Sequence, residues 1–215
     1  MEKVTYIQTY CTIQDNKITL DGKTVFATAD IGFANFVKEA YNHFHISYPK
    51  FFKMDNLSKL AFIAAELVLG TGTEIGANPI NENTALVFAN SSSCLDTDIK
   101  FQNSIADKND YFPSPAVFVY TLPNICLGEI SIKHQLKSEN CFFISDDLDA
   151  GLMHDYATYL LNSLKAPSVL CGWVEYFGES YKAFLYLVTT EEQEGESGGK
   201  ERLPHNCKTI ETLFN

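Results

Sequence analysis

A cysteine that follows a strand-like segment is the first candidate for chemistry in this sequence. Residues 84–90 form an apolar run that leads into the small-residue turn Ser91–Cys94. A strand that enters such a turn loosely resembles a nucleophile elbow, although the flanking glycines of that motif are missing. A Cys94 thiolate with a histidine as its base would make the protein a small acyltransferase or thioesterase. The alternative interpretation of Cys94 is a small side chain that packs a turn.

Two histidines are candidates for that base. His134 stands beside Lys133 near the end of a predicted helix, where a solvated cation stabilises the helix C-terminus without any catalytic role. His154 lies on the polar stripe of another predicted helix, as a solvent-facing or interface residue would. The enzymatic hypothesis pairs Cys94 with one of these histidines, and the structural roles are its alternative.

Three carboxylates, Asp146, Asp147 and Asp149, stand close together just before a predicted helix. A cluster of this kind can bind a cation, but carboxylates beside first-turn amides also cap a helix and oppose its dipole. Capping is the prediction. We expect no metal site here and no cofactor elsewhere in the chain.

The six cysteines form no CxxC pair, so neither a zinc site nor a disulfide framework is expected. Three of them, Cys126, Cys141 and Cys171, lie in apolar segments. We expect these thiols to be buried and slow towards alkylating reagents, and Cys207 to react quickly.

The charge of the chain excludes several partners. The formal net charge is −11, from 16 basic and 27 acidic residues, whereas binding to nucleic acid needs clustered Lys and Arg. An anionic membrane surface is disfavoured for the same reason. No apolar run approaches the ~20 residues that span a bilayer, and no signal peptide is visible at the start. We expect a cytoplasmic protein with reduced thiols.

Strands and helices alternate along the chain, which predicts an α/β fold with a mixed, mostly parallel sheet and helices on both faces. The pattern predicts strands at 4–13, 84–90, 116–120, 141–145, 168–176 and 181–190. It predicts helices at 54–69, 96–105, 122–136 and 149–164, and the first of these is expected to have Asp55 as its N-cap and to end at Gly70. Helix 149–164 is apolar on most sides, so we expect protein to enclose it. Residues 1–190 form the predicted domain, and 191–215 are predicted to be an acidic, mobile tail.

Particular strings on this framework resemble those of one enzyme family. They read SPAVFVYTLPN at 114–124, GEISIKHQL at 128–136, TALVFANSSSC at 84–94 and VLCGWV at 169–174. Their order and spacing resemble the N-terminal half of β-ketoacyl synthases, a thiolase-like half-domain, over residues 1–190. The chain resembles in particular the short ketosynthase-like proteins of aryl-polyene and flexirubin-type pigment clusters.

The resemblance also identifies what this chain lacks. Active synthases carry a cysteine at a strand-to-helix junction, where helix-end amides lower its pKa and form an oxyanion hole. With Gly151 as the anchor, that position falls on Leu148, and a shift of one residue moves it to Asp147. The family's two catalytic histidines and its lysine belong to a C-terminal half that this chain does not contain. Condensation by this polypeptide alone is therefore not expected.

The resemblance implies a non-condensing partner, comparable to a chain-length factor, in fatty acid, polyketide or aryl-polyene assembly. In the thiolase fold two halves stack, and the strand equivalent to 141–145 pairs across a dimer edge. We therefore expect a homodimer, or a heterodimer with a full-length ketosynthase. An acyl carrier protein is a further candidate partner.

Overall fold

One mixed sheet organises the residues that the structure describes. The computed structural model describes residues 4–29, 31–70, 82–107, 109, 111–190 and 202–215. The strands are β1 (Thr5–Gln14), β2 (Lys17–Leu20), β3 (Lys23–Ala27), β4 (Ala85–Asn90), β5 (Asn140–Ile144), β6 (Ser168–Phe177), β7 (Ser180–Thr190) and β8 (Leu203–Pro204). The helices are α1 (Phe33–His43), α2 (Asn56–Leu69), α3 (Leu95–Asn103), α4 (Pro115–Phe118), α5 (Ile125–His134), α6 (Ala150–Asn162) and α7 (Cys207–Phe214), and a 3₁₀ turn spans Pro49–Lys53.

The sheet has a parallel end and an antiparallel end. Its strand order is β3-β2-β1-β7-β6-β4-β5, and β8 pairs with β1. The strands β5, β4 and β6 run parallel because helical crossovers connect them. The hairpins β1-β2-β3 and β6-β7, and the pairing of β1 with β7, supply the antiparallel end. The predicted α/β fold with a mixed sheet is confirmed, and its parallel part is limited to three strands.

The two ends of the sheet meet where β6 approaches β7 at Gly172. The backbone of Gly172 has φ +150°, and a Cβ atom at this position would lie 1.9 Å from the Phe184 carbonyl oxygen. Any larger residue would push β7 away from β6.

Helices cover both faces of the sheet. On one face α2 is buried along nearly its whole length beneath α1 and α5, while α6 and α7 cover the other face. Asp55 caps α2 by accepting a hydrogen bond from the Ser58 amide at 2.9 Å, and Gly70 ends the helix at φ 73°, both as predicted. No helix in the described part of the chain is long and apolar enough to cross a membrane.

The sequence pattern did not predict the β2–β3 hairpin or helix α1 near the start of the chain. The turn between β2 and β3 is built on Asp21 and Gly22 at φ 49° and 75°, the Asp-Gly signal of a tight hairpin. The sequence pattern predicts no element at 30–52, where aromatic side chains are frequent. Helix α1 lies within them, and its buried residues follow helical spacing: Phe33, Phe36, Val37, Ala40 and Tyr41.

The prediction of a strand at 116–120 is wrong. A short helix, α4, stands there instead, and the Ser114 side chain accepts a hydrogen bond from the Val117 amide at its start. Pro115 occupies the first helical position, where its missing N–H costs nothing. Ser-Pro is therefore the helix-start signal that the apolar run 116–120 obscured.

Residues 203–214 were assigned to a mobile tail but form β8 and α7 against the sheet. Phe214 of α7 packs on Trp173 and Phe184, with ring centroids 6.2 and 6.0 Å apart. Lys182 Nζ lies 3.5 Å from the centroid of the Phe214 ring, a close cation–π contact. The acidic, Gly-containing composition behind the prediction belongs to residues 191–201, which lie outside the described residues.

This C-terminal segment changes the interpretation of α6. The sheet buries Met153, Ala157 and Leu160, and α7 lies along the side of α6. The outward face carries exposed Asp155 and Tyr159. The C-terminal segment of the same chain therefore supplies part of the protein that was expected to enclose α6.

His205 anchors the start of α7. Its backbone N–H donates to the Thr5 carbonyl at 3.0 Å, and its Nδ1 lies 3.2 Å from the Thr5 hydroxyl. The buried ring lies near the rings of His154 and Tyr186, at centroid distances of 5.0 and 5.8 Å. Burial, and after it the charge of His154, lower the pKa of His205 to about 3. The folded protein therefore keeps this imidazole neutral.

We expect acid to destabilise the protein through His205. The unfolded chain takes up a proton near pH 6.5, whereas folded His205 takes it up only near pH 3. The contribution of neutral His205 to the free energy of unfolding is thus complete above pH 6.5. Between pH 6.5 and 3 the free energy of unfolding falls with the pH, by up to about 1.4 kcal/mol per pH unit. Urea unfolding of wild type and His205→Gln at pH 7, 6 and 5 checks this. Equal losses of stability in the two proteins would show that His205 is not held neutral.

Candidate functional site

The junction between β5 and α6 is where the resemblance places a nucleophile. The Ser145 amide donates to the Asn90 carbonyl at 3.0 Å, so the ends of β4 and β5 lie side by side. Leu148 is half-buried and packs against the core beneath α6. The exposed Asp147 uses its Oδ1 to accept a hydrogen bond from the Leu148 amide at 2.8 Å. Neither position carries a thiol or hydroxyl.

Asp149, the last of the three clustered carboxylates, caps the N-terminus of α6. Asp149 Oδ1 accepts a hydrogen bond from the Leu152 amide at 2.9 Å, so the predicted capping is confirmed for this residue. An oxyanion at this helix end would meet a carboxylate that already holds a first-turn donor. Within the described ranges, no group of three or more His, Cys, Asp or Glu residues is arranged to hold a metal ion.

Cys94 lies buried at the N-cap of α3. Its Sγ is 3.5 Å from Asp98 Oδ2 and 3.8 Å from the Ser93 hydroxyl. Burial, together with the Asp98 carboxylate, raises the pKa of the thiol to about 11 despite the Ser93 hydrogen bond. At neutral pH about one molecule in 10⁴ would carry the thiolate, which is the reactive form. Cys94 therefore has the environment of a structural cysteine.

His134 is not the solvated cation that the sequence suggested. Its Nε2 lies 2.7 Å from Glu66 Oε1 of α2, and the two side chains are 2% and 4% exposed. It stands at the end of α5, close to where Lys137 donates its amide to the Glu82 carbonyl before β4 begins. Cys94 follows the opposite end of β4, whose six residues span roughly 20 Å. The structure does not bring Cys94 and His134 together.

His154 is engaged with other groups. Its Nδ1 lies 2.9 Å from Asp155 Oδ1, and its ring lies near that of His205. It thus contributes to the anchor of the C-terminal segment, an interface role inside the chain rather than between chains.

A carboxylate that the sequence analysis missed occupies the turn after β4. Glu175 Oε2 accepts hydrogen bonds from the Ser91 amide at 2.7 Å, the Ser91 hydroxyl at 2.8 Å and the Ser92 amide at 3.1 Å. Two backbone amides aimed at one oxygen would suit an oxyanion, but here they hold a residue of β6. The Glu at the end of the apolar strand VLCGWV was the available signal.

A second missed group is a buried carboxylate on α5. Glu129 accepts a hydrogen bond from the Tyr120 hydroxyl at 3.0 Å and pairs with Lys50 Nζ at 2.9 Å, both at Oε1. Burial, and then the Glu129 carboxylate, raise the pKa of Tyr120. The sequence signal was a glutamate inside the apolar run of a helix.

We expect the cysteines to react with an alkylating reagent in the order of their exposure. Cys126 and Cys171 are buried, and burial raises the pKa of both thiols, so they should label slowest. Cys207 is exposed and should label first. Cys141 was expected to be buried but is half-exposed, because β5 is an edge strand, and it should be intermediate. Timed labelling with peptide mass mapping checks the order, and early modification of Cys126 or Cys171 would contradict the packing described.

No family model and no curated protein matches this chain. Solved structures do match, at low sequence identity. "The ishigamide ketosynthase/chain length factor" has 16% identity and a TM-score of 0.69, over 89% of this chain and 63% of that one. A type II PKS acyl-carrier protein in complex with its ketosynthase (AntDE:AntF) has 12% identity and a TM-score of 0.61, over 89% and 64%.

A third match is similar to this chain in length. The complex of a ketosynthase (ApeO) with its chain length factor (ApeC) from Xenorhabdus doucetiae has 13% identity and a TM-score of 0.57. The match covers 98% of this chain and 90% of the other, whereas this chain spans less than two thirds of the first two structures. Together these similarities show a thiolase-like fold.

Proposed function

We propose that this chain is a non-condensing, ketosynthase-like partner in fatty acid, polyketide or aryl-polyene assembly, with a role like that of a chain-length factor. The observation that carries the proposal is the junction of β5 and α6. On a thiolase-like fold, Leu148 and Asp147 stand at this junction without a thiol, and Asp149 holds the first turn of α6.

The chemistry of condensation explains why this junction matters. An acyl thioester forms on a thiolate, and helix-end amides stabilise the oxyanion that develops during transfer. Here the two positions offer an alkyl group and a carboxylate whose Oδ1 accepts a neighbouring amide. A carboxylate beside a forming enolate or oxyanion raises the energy of that charge. The full-length partner would have to supply the nucleophile.

The free edge of β5 supports association with that partner. This strand pairs with β4 and with no other described strand, so one row of its backbone groups is left at the edge. Its residues NCFFI carry no charge and no proline, and a soluble protein covers or pairs such an edge. The partner is a second copy of this chain or a full-length ketosynthase.

The direction of the exposed amides can be derived from the β4 ladder. Leu86 donates its amide to the Glu139 carbonyl, and Ser145 donates its amide to the Asn90 carbonyl. Since successive amides of a strand alternate in direction, the amides of Phe142 and Ile144 lie on the free edge. The Ile144 side chain is also 53% exposed. Ile144 is therefore the position where an edge can be blocked with least damage to the monomer.

The enzymatic alternative, a small acyltransferase or thioesterase with Cys94 and a histidine, has less support. The pKa of the Cys94 thiol is raised rather than lowered, and His134 is committed to Glu66 at the other end of β4.

We expect Ile144→Pro to abolish association through β5, because it removes an outward amide while leaving the hydrogen bonds to β4 intact. The control is Ile144→Ala, which keeps the amide. Light scattering at micromolar concentration should give a dimer for wild type and Ile144→Ala and a monomer for Ile144→Pro. A monomeric wild type excludes self-pairing. Co-expression with a full-length ketosynthase from the same gene neighbourhood then tests the heterodimer, and an Ile144→Pro complex as stable as wild type would refute pairing at β5.

We also expect the purified chain to form no 3-ketoacyl product from acyl-carrier and malonyl-carrier substrates. The reason is the absence of a nucleophile at Leu148 and Asp147. Mass spectrometry of the carrier-bound products measures this, with an active ketosynthase as the positive control. A 3-ketoacyl product from this chain alone would overturn the proposed function.

A further inference from the structure

A cavity of about 230 Å³ lies between the start of α2, the first turns of α3 and helix α4. Its lining comes from α2, α3, α4 and the residues beside them, and it includes no residue of β5 or of the β5–α6 junction. Its volume is below the roughly 300–1,000 Å³ of sites for drug-sized ligands, so it suits a smaller molecule. The lining combines apolar side chains with two lysines and one carboxylate: Met54, Val117, Tyr120, Lys53, Lys100 and Asp55.

One wall of the cavity is apolar. Met54 is buried, and Ala116 and Val117 come from α4, which has no large polar side chain in this region. Tyr120 contributes its aromatic body, because its hydroxyl is already used as a donor to Glu129. These groups suit an alkyl chain, which gains from leaving water.

The cationic side of the cavity is formed by two lysines. Lys53 has no carboxylate partner among the described residues, and Lys100 pairs with Asp96 while remaining half-exposed. Two lysines therefore line one small cavity in a chain of net charge −11. An anionic headgroup of a ligand would provide the counter-charge that no described carboxylate gives Lys53.

The acidic residue in the cavity, Asp55, already accepts hydrogen bonds from the protein at both carboxylate oxygens. Asp55 Oδ1 accepts a hydrogen bond from the Ser58 amide, and Oδ2 accepts one from the Thr97 hydroxyl at 2.9 Å. Burial is the main cause that raises the pKa of Asp55, which disfavours additional negative charge at this depth. A ligand would therefore place its anion at the lysines and its apolar part inside.

We propose that this cavity binds a short-chain carboxylate, with the carboxylate at Lys53 and Lys100 and the alkyl chain against Met54, Val117 and Tyr120. The alkyl chain supplies most of the binding free energy because it is buried, while the lysines select the charge of the headgroup.

The test uses hexanoate as the probe, with hexylamine as the ligand of opposite charge and acetate as the headgroup alone. Ligand-observed NMR titration should show saturable binding of hexanoate and much weaker binding of the other two. Lys53→Gln should weaken hexanoate binding roughly fivefold, the upper end for a partly exposed ion pair. Val117→Trp, which fills the cavity, should abolish it. The controls are Lys38→Gln on exposed α1 surface and Val119→Trp beside the cavity, and both should bind as wild type does.

Hexanoate binding that does not saturate would overturn the proposal. Equal binding of hexylamine would also overturn it, as would hexanoate binding that neither Lys53→Gln nor Val117→Trp changes. Circular dichroism establishes whether Val117→Trp folds. If it does not, the Lys53→Gln variant and the comparison of the three ligands still decide the outcome.

Discussion

The close approach of β6 and β7 at Gly172 is the constraint on which both layers depend. Here the parallel strands meet the antiparallel ones, with a carbonyl oxygen at the position of a side chain. Alternate residues of β6 then point to opposite cores. Trp173 packs beneath α6 and α7, and Val174 packs beneath α2. A shift of β7 relative to β6 would therefore disturb the α2 layer and the C-terminal segment together.

Acidic side chains accept hydrogen bonds from backbone amides at three places in the fold. Asp55 and Asp149 cap α2 and α6, and Glu175 holds the turn after β4. Helix starts and small-residue turns are the places where related folds bind or stabilise anions during acyl transfer. Carboxylates of the chain itself occupy these places here and stabilise the helix starts and the turn. This distribution is one of the observations behind the proposed role as a non-condensing partner.

Local signals in the sequence predicted the elements that depend on local chemistry. Asp55 and Gly70 bound α2 as expected because a cap acts within one helical turn. Contacts between residues that are distant in sequence could not be predicted from it. Neither the buried contact of His134 with Glu66 nor the packing of Phe214 on Trp173 has a spacing that a sequence pattern could reveal. The candidate site was also only partly predictable. The resemblance located Leu148 and Asp147 at the β5–α6 junction, whereas the hydrogen bonds of Glu175 became visible only in the structure.

The pairing of β1 has a consequence for the order in which the chain can fold. Its neighbour β7 is distant in sequence, since Thr5 pairs with Thr190, and His205 then closes over Thr5. During synthesis, β1 can form its hairpin with β2 at once, but its other edge must wait until β7 has been made. Such non-local closure slows folding. The nascent protein thus exposes one edge of β1 while the residues between β2 and β7 are made, and an exposed strand edge can pair with other chains.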